Sequence, residues 1–237
     1  MLLTVGYHRG MKPSHRIVMA SASPRRRRLF EWLGLPFEVH QVDTPESLDS
    51  PLARDPAALA VSLAREKSDA VRAAGLDDDA VVLTFDTIVA HGGQVLGKPS
   101  DVDDAWRMLR RLSGQVHQVH TGCAILAPDV SEPYSFAVST DVRMHELSDE
   151  RIREWMASGE FMGCAGAYNI EGQVAAVTCD ECYQNVTGTP LCHLYRALSR
   201  PGIAEHLPAR PVSPMHRCDM ALGRTCRLGP GLTTGAN

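Results

Sequence analysis

The chain has 237 residues, 44% hydrophobic and 22% charged, with a formal net charge of −4. That length carries a full core in one large domain or two small lobes, and the composition is that of an ordinary globular protein. The acidic balance argues against a general nucleic-acid surface, no apolar run reaches the roughly 18–20 residues that span a bilayer, and MLLTVGYHRGMK lacks a signal-peptide pattern, so the cytoplasm is the expected location.

Ile17-Val-Met-Ala20 reads as a short buried strand. Ser23 then offers an N-cap and Pro24 a first helical position, with Leu29, Phe30 and Leu33 as the apolar face and Gly34 as the stop. Arg25 to Arg28 therefore load the first turns of a helix with cations. The helix dipole is already positive there, so the arrangement asks for an anion, and a polyphosphate is the natural candidate. A short apolar segment follows at Phe37-Glu-Val39. Asp55-Pro56 predicts a helix to about Ala74, closed by Gly75.

Ala80-Val-Val-Leu-Thr84 is apolar throughout, as in a strand buried on both faces, and Asp86 is expected just past its end. Ile88 to Leu96 reads as a hairpin around His91-Gly92-Gly93. Ser100 with Asp103 predicts a capping box before a helix through Leu112. Gln115–Ile125 is β-prone, and Phe136–Met144 alternates as a half-solvated strand. Ser148 to Gly159 frames a helix, 174–178 a strand, and Pro190–Leu198 a final helix. Strands and helices alternate, which argues an α/β fold. There is no internal repeat. Residues 1–15 read as an N-terminal extension, 16–200 as the domain, and the Pro- and Gly-rich 201–237 as a loosely attached tail.

Seven scattered cysteines form no disulfide framework by number or context. Cys179-Asp-Glu-Cys182 has metal-knuckle spacing, and Cys192-His193 could complete four ligands, but reduced thiols near a turn are the preferred reading.

A carboxylate such as Asp86, at the carboxyl end of a buried strand, is placed to act as a base or to hold a metal. Lys98 follows the hairpin that could fold it back toward Asp86, and Lys67 lies on the 56–74 helix. Taken singly, each lysine reads as surface. The glycines of 163–172 permit close approach of backbone to a ligand, and 184–190 opens the last helix. No Walker A, GxGxxG, HExxH or GxSxG pattern occurs, so any phosphate reader is arginine-based.

Ser21-Ala-Ser-Pro-Arg-Arg26, Phe85-Asp-Thr-Ile-Val89, Gly97-Lys-Pro99, Leu112-Ser-Gly114, Thr121-Gly122, Ala165-Gly-Ala-Tyr168 and Gly188-Thr-Pro-Leu191 resemble, in order, the successive motifs of the Maf family. The resemblance implies a nucleoside triphosphate pyrophosphatase that yields a monophosphate and pyrophosphate with a divalent metal, Mg or Mn. It implies a house-cleaning role and a link to cell-division arrest. The implied fold is an elongated mixed sheet with flanking helices in two lobes around a cleft, as in inosine triphosphate pyrophosphatases. Carried over by motif, Asp86 matches the proton acceptor; by its chemistry it is also the candidate metal ligand, and the two roles stay open. Arg25, Thr87 and Glu171 match positions tied to base selection, and Ser21, Arg26, Lys67 and Lys98 match the polar active-site set.

This chain departs from the pattern in instructive ways. The branch acting on thymidine and uridine triphosphates has Gln at the third selective position, and the branch acting on methylated guanosine triphosphate has Glu. Arg25, Thr87 and Glu171 mix the two, which leaves the base open; an ionised Glu171 only accepts hydrogen bonds and would favour a donor-rich base edge. Phe85 and Thr189 replace a small residue and Leu. Asp43 and Glu46 are both candidates for the family's acid after the second strand. The expected partner is a nucleoside triphosphate, with no membrane, no nucleic acid, and a homodimer compatible with the chain. The alternative is a non-catalytic cell-division regulator that binds nucleic acid or a protein.

Overall fold

A computed structural model describes residues 16–234; the 1–15 extension lies outside the described residues. The elements are β1 (Arg16–Ala20), α1 (Pro24–Phe30), β2 (Glu38–Val39), α2 (Pro56–Ala73), β3 (Ala80–His91), β4 (Gln94–Leu96), α3 (Val102–Leu112), β5 (Val116–Leu126), β6 (Tyr134–Met144), α4 (Asp149–Ala157), β7 (Ala175–Ala176), α5 (Tyr183–Val186), α6 (Leu191–Leu198), α7 (Met215–Leu222) and α8 (Leu228–Thr233). The strands form one mixed sheet in the order β2-β1-β3-β5-β6-β7, with β4 also on β3. β1 runs parallel to β2 and β3, and the remaining pairs are antiparallel.

Local chemistry sets most boundaries. The Ser23 hydroxyl accepts from the Arg26 N–H, Asp55 from Ala58 and Ser148 from Arg151, so each expected cap closes its helix. The α3 cap sits one residue later than expected. Asp101 accepts from the Asp104 N–H, while Asp104 accepts from the Ser100 N–H, because an acid three residues on serves Asp101 as well as Ser100. The strand expected at 174–178 shrinks to Ala175–Ala176.

The largest departure is β3. A strand ending near Thr84 and a separate hairpin arm merge into one twelve-residue strand, with Asp86 in its middle. Polar Thr84, Asp86 and Thr87 interrupt the hydrophobic pattern but not the backbone ladder, since β5 pairs with β3 continuously from Val82 to Ala90. The opposite edge is different. β1 pairs with residues 80–84 and β4 with 89–91, so residues 85–88 have no strand neighbour there. The sheet has a notch at Asp86.

On one face of the sheet, α2 covers Val82, Thr84, Asp86 and Ile88, packing Leu59, Ala60, Leu63 and Val71 against it. On the other face the core splits in two. Val81, Leu83, Phe85, Cys123 and Ile125 pack with Leu29 and Phe30 of α1 and Leu191, Leu194 and Leu198 of α6. Val89, Val119, Val142 and Met144 pack with α3 and α4. Between them a polar row crosses the sheet: Thr87 and Thr121 sit opposite each other with hydroxyls 3.0 Å apart. Side chains alternate along a strand, so Thr87 interrupts the series 81-83-85-89 and Thr121 the series 119-123-125. The two lobes are two apolar cores divided by this row.

Residues 201–234 depart from the expected loose tail. Ile203 joins the α1/α6 core, the Val212 N–H donates to the Leu33 carbonyl, and α7 and α8 bury Cys218 and Gly229. Their hydrophobic period is weak, so it is docking on the domain that orders them.

Candidate active site

A cleft of about 670 Å³ opens at the notch. Ser21, Arg25, Arg26, Lys67, Asp86, Thr87 and Lys98 all line it, so the structure brings together seven of the eight residues singled out by sequence. Glu46 and Asp43 line it too.

On the α2 side the cleft is charged. Leu59, Leu63, Lys67 and Val71 form a row at four-residue spacing along α2, so Lys67 occupies a position of the buried stripe rather than the surface. Its Nζ lies 2.5 Å from Asp86 Oδ1, 2.8 Å from Glu46 Oε1 and 3.4 Å from the Phe85 carbonyl, which the notch leaves without a strand partner on that edge. Close approach of α2 depends on Gly122, the β5 residue opposite Asp86. A Cβ there would stand 2.1 Å from the Ala60 carbonyl oxygen. Lys98, half-exposed, reaches both Glu46 oxygens at 2.9 and 3.1 Å. Burial alone would raise the Glu46 carboxyl, but hydrogen bonds and charge from Lys67 and then Lys98 outweigh it and hold the group at about 2. Glu46 is thus the acid that joins this cluster. Asp43 instead accepts from the Gln41 amide at the surface.

On the opposite side the network is braced by one arginine. Arg26 donates from Nε to the Gly188 carbonyl at 3.0 Å, from Nη1 to Ser21 Oγ and the Phe85 carbonyl at 3.2 and 3.5 Å, and from Nη2 to Thr87 Oγ1 at 2.9 Å. Gly188, at φ +88°, stands where a Cβ would press on Arg26 Nε and Thr87 Oγ1. Burial draws the Arg26 pKa down, and the charge of Asp86 opposes this. Thr121 donates to the Asn185 carbonyl, and the Asn185 amide donates to the Val119 and Val138 carbonyls. The expected phosphate clamp at Arg26 is therefore mostly engaged by protein. Arg25 is freer, with one contact from Nη2 to Cys164 Sγ at 3.2 Å.

Glu171 is not among the cleft-lining residues. Its carboxylate is ion-paired with Arg28. That pair joins α1 of one lobe to the 160–172 segment of the other. The cleft wall beyond Thr87 is instead built from Val89, Val119, Val186, Ala165 and Tyr168. Tyr168 is held by a 2.6 Å hydrogen bond to His117, whose imidazole is lowered to about 4 by burial and then by His91. Tyr168 belongs to a motif noted in sequence, whereas the His117 and Asn185 contacts carried no sequence signal because they span 45 or more residues. Charged groups at one end and an apolar wall at the other form a cleft for a ligand with an anionic and a flat, apolar part.

A sequence model described as "Maf-like protein" matches residues 16–201. The chain belongs to the Maf family. It is 39% identical to a dTTP/UTP pyrophosphatase of Chlorobium chlorochromatii, with 79% of this chain and 96% of the relative covered. It is 40% identical to a dTTP/UTP pyrophosphatase of Pelotomaculum thermopropionicum over 78% of this chain and 96% of the relative. A third relative of that name, from Agathobacter rectalis, is 35% identical, with 79% and 98% covered. The Maf match stops at the start of the docked C-terminal segment. Among the described residues no helix is long and apolar enough to cross a membrane.

Proposed function

We infer that the protein is a nucleoside triphosphate pyrophosphatase, hydrolysing the α–β phosphoanhydride to a monophosphate and pyrophosphate, with thymidine and uridine triphosphates as preferred substrates. The observation that carries this reading is the notch, where Asp86, Lys67, Glu46 and Lys98 gather beside Arg25 in one cleft. The pyrimidine preference rests on the names of the relatives and on Glu171. With its carboxylate held by Arg28 and outside the cleft, Glu171 gives no acceptor that would select a donor-rich base.

In this reading the base lies against Tyr168, Val119 and Val186, and the triphosphate runs toward Arg25 and Lys98. Asp86 Oδ1 is engaged by Lys67, while Oδ2 has no protein hydrogen-bond partner among the described residues. Oδ2 accepts a proton from a water whose oxygen bonds to the α-phosphorus as the bond from that phosphorus to the bridging oxygen breaks. Arg25 and Lys98 neutralise charge on the departing pyrophosphate. Lys67 orients the Asp86 carboxylate and keeps Glu46 beside it.

A divalent metal, Mg or Mn, belongs to the same proposal. Glu46 and Asp86 both reach the Lys67 ammonium, so their carboxylates lie side by side, and the oxygens Lys67 does not engage would hold the ion. Among the described residues no three His, Cys, Asp or Glu side chains form a metal-holding group. Two carboxylates with the rest of the shell from phosphates and water is the pattern expected for Mg. Bound there, the ion would neutralise phosphate oxygens and polarise phosphorus.

A panel of nucleoside triphosphates with Mg or Mn, scored for pyrophosphate and monophosphate, tests the reading. Fastest release from dTTP and UTP is expected. Release of orthophosphate, or binding without turnover as the regulator alternative requires, would overturn it.

A further inference from the structure

A second cavity, of about 20 Å³, lies between the domain and the docked C-terminal segment. Five of the seven cysteines line it: Cys179, Cys182, Cys192, Cys218 and Cys226. All are free thiols. They come from three stretches. Cys179 and Cys182 precede α5, Cys192 is in the first turn of α6, and Cys218 and Cys226 belong to the segment beyond the Maf match.

The docking contacts lie beside these cysteines. The Arg227 N–H donates to the Cys179 carbonyl at 3.1 Å and the Arg224 guanidinium to the Val177 carbonyl at 2.7 Å. The Cys226 N–H is fixed by Asp219 Oδ1 at 2.9 Å, and the Gln184 amide donates to Cys218 Sγ at 3.7 Å. Three stretches thus bring thiol-bearing residues to one small cavity, where a soft cation would find its preferred ligands.

Three further facts point to the kind of cation. Cys179 and Cys182 have the C-x₂-C spacing of a zinc knuckle. The cavity has room for about one water-sized guest. The segment beyond 201 buries few apolar side chains, chiefly Ile203 and Cys218, and a segment with so small a core of its own is commonly held by a metal or a disulfide. Among the described residues no three such side chains already form a metal-holding group, so ligation requires the thiols to be drawn together.

We propose that this cavity is a structural zinc site, in which four of the five cysteines ligate one Zn²⁺ as thiolates and staple the C-terminal segment to the domain. Each ligating thiol releases its proton to solvent. The site is separate from the cleft, and its ion takes no part in hydrolysis.

The full chain, produced with zinc in the medium and purified without chelator, should retain about one zinc per chain after dialysis, measured by elemental mass spectrometry. Cys218→Ser/Cys226→Ser leaves only three thiols in the cavity, and its zinc content should fall about tenfold or more. Cys123→Ala, in the sheet core away from the cavity, should keep its zinc. Exchange of Co²⁺ into the wild-type chain should give the visible bands of a tetrahedral tetrathiolate, a readout that needs no variant to fold. A metal-free wild-type chain, an iron chromophore in place of zinc, or disulfides among these five cysteines in the unreduced chain would each overturn the proposal.

Discussion

The two faces of β3 at the notch are built to opposite rules. On the α2 face, Asp86, Glu46, Lys67 and Lys98 are charged, and valences remain open, as with Asp86 Oδ2 and the half-exposed Lys98. On the other face, Arg26, Thr87, Thr121, Asn185 and Gly188 form a nearly saturated net, with four of the five Arg26 N–H groups donating to protein acceptors. A buried net most of whose members are satisfied holds geometry, Asn185 Oδ1 being left without a partner. A cluster with unfilled donors and acceptors is where a ligand can exchange for them. The adjacent positions Asp86 and Thr87 thus divide the work of the site, because a strand sends successive side chains to opposite faces.

The strongest test of this division is Asp86→Asn. It keeps the shape of the side chain but loses proton acceptance, and kcat should fall roughly 100- to 10,000-fold, while loss of the buried ion pair to Lys67 should also lower the urea midpoint. Full turnover by this variant would remove Asp86 from its proposed role. Next, Arg26→Lys and Lys98→Ala should separate the faces. Lysine cannot reproduce the Arg26 fork, so Arg26→Lys should cost about 1–3 kcal/mol of stability in urea unfolding, whereas Lys98→Ala should leave stability within about 0.5 kcal/mol and raise KM about tenfold. The opposite assignment of the two effects would break the comparison.

The smallest expected effect is in acid. The Glu46 carboxyl is held at about 2 against an ordinary 4.5. The folded value lies below the unfolded one, so this stabilisation is full above about 4.5 and is lost as pH falls toward about 2. Glu46→Gln should therefore flatten the loss of urea midpoint between about pH 5 and about pH 3, and an unaltered slope would show that Lys67 does not depend on Glu46.

Much of the fold was legible because its signals are local. Ser23-Pro24, Asp55-Pro56 and Ser148 cap where expected, and Gly34, Gly75 and Gly159 stop their helices with positive φ. The alternation of Phe136 to Met144 is seen in the burial of Val138, Thr140, Val142 and Met144. The site was legible as a set of motifs, but not as a geometry. Lys67 reads as a surface lysine until the stripe on α2 is known to include it. Asp43 and Glu46 are alike in sequence, and only the path of the chain to Lys67 distinguishes them. Glu171 matched a motif, yet it pairs with Arg28 and is not among the cleft-lining residues.

The sequence by itself therefore determined most of the element order up to Leu198, most caps and stops, the family and the cast of charged residues, since each depends on neighbours within a few positions or on whole motifs. Tertiary structure alone decided that Asp86 sits within a continuous strand, that β1 and β4 leave a notch beside it, and that Arg26 braces while Arg25 stays freer. It alone gathered five cysteines from three distant stretches around one cavity. Those outcomes depend on which edges pair and which faces pack, and such contacts join residues whose separation along the chain carries no periodic trace.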